Sequence, residues 1–145
     1  MKATVVISLS LSRVHYGLSS LDGLAGWWTP EVEGDPAAGG DLILRFGDEH
    51  VQMHVDTNGP TAIAWTCREH TKFPEWSGTR ITFALRAPAQ GETQLDFEHD
   101  GLEPRCECYE MCSRGWDHYL ASLAGWATGD GGSPWHSPTW RPALS

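Results

Sequence analysis

CSRGWDHYLASLAGWAT, residues 112–128, is the stretch whose reading decides the fold. Trp116, Tyr119, Leu120, Leu123 and Trp126 or Ala127 recur at spacings of three and four, which places them on one face of a helix. Gly129 stands where a helix terminator belongs. The helix predicted over Cys112–Thr128 is the longest in the chain, and its apolar stripe needs a partner surface.

Upstream the period is two. ATVVISL (3–9) is β-branched and reads as a first strand. DLILRFG (41–47) alternates through Leu42, Leu44 and Phe46, and HVQMHVD (50–56) through Val51, Met53 and Val55, the two joined at Gly47-Asp48. After a turn at Asn58-Gly59-Pro60, TAIAWTCRE (61–69) sends Ile63, Trp65 and Cys67 to one side. A loop over 70–77 precedes GTRITFALR (78–86), with Ile81, Phe83 and Leu85 together. A turn over 87–91 then precedes ETQLDFEHD (92–100), with Thr93, Leu95, Phe97 and His99 together. Short turns between half-apolar strands predict an antiparallel meander.

Between the first two strands, Leu11, Val14, Leu18 and Leu21 form a helical stripe, and a second short helix over Leu21–Trp28 ends before Pro30. Residues 31–40 and 101–110 read as loops. The class predicted is α+β: a curved antiparallel sheet of about six or seven strands wrapped around the C-terminal helix, with two short helices between strands 1 and 2. One domain spans 1–130. The tail, 131–145, is rich in Gly, Pro and Ser and has no predicted regular structure. Its Trp135 and Trp140 are expected to extend freely, the alternative being a latch onto the domain or a partner.

Ten Lys and Arg against 19 Asp and Glu give a net charge of −9, with no basic run, so nucleic acid and anionic membrane surfaces are excluded as partners. MKATVVISLSLSR is interrupted by serines and Arg13 and has no small-x-small site, so it is read as a strand rather than a leader. No run approaches the roughly 20 apolar residues of a membrane span, and the expected location is cytoplasmic. Four cysteines are too few for a disulfide scaffold.

Gly23-Leu24-x-x-Trp27-Trp28-Thr29, Trp65-x-Cys67, Trp76-x-Gly78-Thr79, Thr93-x-Leu95-x-Phe97-x-His99-x-Gly101-Leu102 and Cys112-x-x-Gly115-Trp116-x-x-Tyr119-Leu120-x-x-Leu123 occur in that order. Together they resemble the SRPBCC or START-like superfamily, the helix-grip fold of the birch pollen allergen. Within it the likeness is greatest to the heat-shock-protein-90 ATPase activator homologue-like family. The resemblance covers the chain to about Gly132. It implies a cavity between sheet and long helix, with the two short helices at its mouth. Trp27 and Trp28 would then either line that mouth or fill the seam between helix and sheet.

The candidate cavity residues are Trp27, Trp28, Met53, Trp65, Phe83, Phe97, His99, Trp116, Tyr119, Leu120 and Leu123. His99 continues an apolar stripe, where it is either a general base or ligand contact, or a histidine hydrogen-bonded to the next loop. Glu69 continues the Trp65 and Cys67 stripe as a cavity carboxylate or as the strand's wet end. Cys106, Cys108 and Cys112, near His99 and His118, lack paired zinc knuckles, so no metal and no cofactor are expected. Nor is there a phosphate loop, a G-x-S-x-G elbow, an H-E-x-x-H or a G-x-G-x-x-G.

Three readings follow. The first is non-catalytic binding of a small, largely apolar molecule. The second, implied by the resemblance, is association with a chaperone, and a homodimer is also compatible. The third, also implied by it, is a cyclase or aromatase, which requires His99, Glu69 or Tyr119 to converge in the cavity.

Overall fold

Each period-two stretch folds as a strand, and the short turns between them return the chain antiparallel to its neighbour. The computed structural model describes residues 1–140. Its strands are β1 (Lys2–Ile7), β2 (Val32–Gly34), β3 (Asp41–Phe46), β4 (Glu49–Gly59), β5 (Ala62–His70), β6 (Arg80–Arg86) and β7 (Thr93–Asp100). They form one sheet in the order β1-β7-β6-β5-β4-β3-β2. The N-terminal strand closes onto the last one, pairing Ala3 with Phe97 and Val5 with Leu95. At the β3–β4 hairpin Phe46 pairs with Glu49 across Gly47-Asp48, and Gly47 has φ +69°, as a two-residue loop with glycine first requires.

β2 was not predicted. Three residues are too few to show a period, and Val32–Gly34 forms a strand only because Leu42–Leu44 offer it a ladder. The three helices are α1 (Leu11–Ser19), α2 (Leu21–Trp27) and α3 (Tyr109–Ala127). Ser10 and Ser20 cap the first two through their hydroxyls, accepting from the N–H groups of Arg13 and Gly23. Helix α3 starts three residues before the predicted Cys112.

Inward-facing residues of the sheet meet α3 in one core that includes Leu42, Met53, Val55, Trp65, Phe83, Leu95, Phe97, Trp116, Leu120 and Leu123. Close approach of the helices rests on small residues: an added Cβ at Gly23 would lie 2.5 Å from the Gly17 Cα. Two bulges interrupt the β4–β5 ladder. Gln52 pairs with Glu69 and Met53 with Cys67, leaving Arg68 extra on β5; Val55 pairs with Trp65 and Thr57 with Ala64, leaving Asp56 extra on β4. Bulges increase local bend and twist, which suits a sheet that curls over a helix. Among the described residues no helix is long and apolar enough to cross a membrane.

The tail has no helix or strand up to Trp140, and residues 141–145 of the expected tail lie outside the described residues. Trp135 nevertheless does not extend freely. Its backbone N–H donates to the Trp28 carbonyl (2.8 Å), and its ring lies edge-on to Phe46 (6.0 Å) and 3.5 Å from where a Cβ on Gly47 would sit. The side chain found an apolar seat at the hairpin that the local sequence could not reveal.

Candidate functional site

The tryptophan pair is divided by the end of α2. Trp27 is its last residue and is fully buried, with its indole N–H on the Gly17 carbonyl (2.7 Å). Trp28 is the C-cap, so the chain turns there, and its ring stacks on Trp27 (5.5 Å, 11°) and on Trp65 (5.7 Å, 18°). Only Trp28 reaches a cavity.

That cavity measures about 210 Å³ and is partly open. It lies where the β3–β4 hairpin, the end of β5, the 3-10 turn Pro74–Trp76 and the first turns of α3 come together, with the tail over it. Its walls are Trp28, Phe46, Glu49, Val51, His70, Lys72, Phe73, Trp76, Met111, Cys112, Tyr119, Trp135 and His136. A wider surface groove of about 660 Å³ adjoins it, sharing Lys72, Phe73 and Met111 and adding Pro74, Glu75, Arg105, Glu107 and Cys108.

Of the predicted cavity residues, Trp28 and Tyr119 border this space. Trp27, Met53, Trp65, Phe83, Phe97, His99, Trp116, Leu120 and Leu123 do not; all are buried in the core, at 3% exposure or less. Their large side chains fill the space between sheet and helix, with Phe97 and Trp116 4.6 Å apart and Trp65 and Phe83 5.1 Å apart. The room that remains lies at one end of the grip.

His99 is sealed. Its Nδ1 accepts from the Trp116 indole N–H (3.0 Å), and its Nε2 lies 2.8 Å from the Thr79 hydroxyl. That hydroxyl spends its own proton on the Trp76 carbonyl (2.6 Å), so Nε2–H of His99 is the donor to it. Burial pulls the ring down to about 3, and the N-terminal ammonium and His70 add to the effect. With both nitrogens occupied in a neutral ring, His99 ties β7, α3 and the 3-10 turn together and has no lone pair for a substrate.

Glu69 faces solvent and pairs with His50 (2.9 Å). The bulge at Arg68 reverses the alternation of β5: Ile63, Trp65 and Cys67 point inward, Arg68 and Glu69 are both exposed, and His70 turns in. The sequence reading followed strict alternation and placed His70 in a loop, so it missed the histidine that borders the cavity. The groups named for a cyclase do not converge, since of His99, Glu69 and Tyr119 only the last borders the space.

The polar groups of the cavity are few. Nδ1 of His70 accepts from the backbone N–H groups of Lys72 (3.2 Å) and Phe73 (3.0 Å), and burial holds the ring down at about 4. Burial also pushes the Tyr119 hydroxyl up to about 12 and the Cys112 thiol above its usual range. The Cys112 sulfur accepts from the Trp76 indole N–H (3.3 Å). These groups are neutral at physiological pH. Cys67, Cys106, Cys108 and Cys112 are free thiols, and among the described residues no three His, Cys, Asp or Glu side chains are grouped to hold a metal ion.

The sequence model of the family described as Activator of Hsp90 ATPase homolog 1-like protein matches residues 8–127. No curated protein matches the chain. Among solved structures, the Aha1 dimer from Colwellia psychrerythraea is similar, with a TM-score of 0.74 and 25% identity over 86% of this chain and 92% of that one. CalU16 from Micromonospora echinospora superposes with a TM-score of 0.73 at 17% identity, covering 97% of this chain and 74% of the other. PFC0360w, an HSP90 activator from Plasmodium falciparum, gives 0.71 at 16% identity, covering 89% and 95%. The last two share the fold.

Proposed function

The chain belongs to the Activator of Hsp90 ATPase homolog 1-like family, and from that premise we propose that it binds a small, largely apolar molecule without transforming it. The observation that carries this reading is the aromatic-walled cavity beside Trp28, partly open and bordered by few polar groups, of which only Glu49 and Lys72 are charged. Small-molecule sites have that composition, with apolar walls supplying affinity and a few polar groups fixing orientation. At about 210 Å³ the space lies below the roughly 300–1,000 Å³ of drug-sized pockets, so the ligand is a compact one. The reading places the ligand at the end of the helix grip, against Trp28, Trp76 and Trp135, with its exit toward the adjoining groove.

The test is a fragment titration followed by the indole N–H resonances. Trp28, Trp76 and Trp135 should shift on binding while Trp126, which borders no part of the cavity, stays still. A library of compact aromatic and alicyclic fragments that moves none of the three signals at millimolar concentration would sink the proposal.

Association with an Hsp90-type chaperone, or with a second copy of this chain, is a further reading. Family membership supports the first, and the dimer formed by the Colwellia relative supports the second. Stoichiometric co-purification with the chaperone and sedimentation of the isolated protein test them separately.

A further inference from the structure

We propose that the cavity takes an uncharged aromatic molecule bearing a hydrogen-bond-accepting oxygen, and that the Nε2–H of His70 selects it; this rests on the cavity being the binding site proposed above. Two backbone N–H groups, of Lys72 and Phe73, face Nδ1 of this ring. Two donors on one ring nitrogen require its lone pair, so the proton of the neutral imidazole sits on Nε2. Desolvation keeps the ring from taking a second proton. The tautomer is therefore fixed by the fold, and Nε2 is a donor only.

That donor has no hydrogen-bond partner among the described residues, although His70 is only 9% exposed and its ring borders the cavity. The cavity is partly open, so water reaches this N–H when the space is empty; a ligand that displaces the water must supply an acceptor of its own or leave the N–H unpaired. The aromatic rings around it favour a flat molecule, since stacked and edge-on contacts both need planar partners. The charged side chains bordering the space are Glu49 and Lys72. Lys72 is exposed, and Glu49 accepts from the Thr71 hydroxyl. A charged ligand group beside His70 would meet no buried counter-charge. The chemistry that fits is a neutral ketone, ether or ester oxygen on a small fused-ring skeleton.

The decisive comparison uses 1-tetralone and tetralin, one skeleton with and without a ketone oxygen, titrated into the full ¹⁵N-labelled chain. Transfer from water alone favours the hydrocarbon. With His70 as selector the ketone binds at least about tenfold tighter, and the His70 Nε2–H resonance moves with the ketone and not with the hydrocarbon. If tetralin binds as tightly or tighter while the cavity indole signals shift, the His70 assignment falls and the cavity reading stands. If neither probe binds, both fall. In His70→Phe the ketone preference should disappear, and its persistence would overturn the assignment. Should that variant fail to fold, the wild-type comparison decides alone.

Discussion

His99 shows what a buried histidine does when every polar atom is matched. It receives the Trp116 indole N–H and gives its own N–H to Thr79, whose hydroxyl continues to the Trp76 carbonyl. Removing the ring strands the buried Trp116 indole N–H, at a cost of about 1–3 kcal/mol, while the half-buried Thr79 hydroxyl keeps its bond to the Trp76 carbonyl. His99→Leu should therefore lose about 1–3 kcal/mol of stability in urea titrations, and no measurable loss would show that water enters and replaces the ring. Glu69→Gln breaks only an exposed pair with His50 and should stay within about 0.5 kcal/mol of wild type by the same measurement. The inward position of His99 was legible because β7 alternates without interruption from Thr93 to Asp100. That of His70 was not, because the extra residue at Arg68 is set by the pairing partner and leaves no mark in the β5 sequence itself.

Helices α1 and α2 pack at backbone distance. A methyl group on Gly23 would stand 2.5 Å from the Gly17 Cα and 2.7 Å from the Tyr16 carbonyl oxygen, both main-chain atoms that no rotamer change can move. Gly23→Ala should cost about 3 kcal/mol or more despite alanine's better helix propensity, read as a drop in the thermal midpoint. An unchanged midpoint would mean that the helices slide apart freely. The long helix was legible from its stripe, as were the strands that alternate cleanly. The short strand β2 was not, since its existence depends on β3, and the seat of Trp135 was not, since it is built from the hairpin at Gly47 and the end of α2. The location of the cavity was misjudged for a related reason: spacing identifies which residues face inward, but only packing shows which inward residues leave room.

Across the whole molecule, two buried histidines make stability depend on pH. His70 is held at about 4 and His99 at about 3, against 6.5 for an unperturbed ring. Between 6.5 and those values the unfolded chain takes up protons that the folded chain refuses. Stability is thus fully present above pH 6.5 and falls as the pH drops, by about 1.4 kcal/mol per unit for each ring, levelling off below the folded values. Loss of the net charge of −9 as the pH approaches 5 relieves self-repulsion and works in the opposite direction, so the observed slope should be shallower. Urea midpoints measured at pH 7.5, 6 and 5 should fall in that order; a flat series would show that the rings are not neutral in the fold. Trp27, Trp28, Trp116 and Trp76 form a continuous run, with Trp65 branching from Trp28, each ring 5.3–5.8 Å from its neighbour. Indoles this near share their excited states, so ultraviolet energy absorbed anywhere along the run is delocalised before it is emitted. Circular dichroism at 270–300 nm should therefore carry exciton-coupled bands, and a guest resting on Trp28 or Trp76 would recolour the entire chromophore without any attached dye.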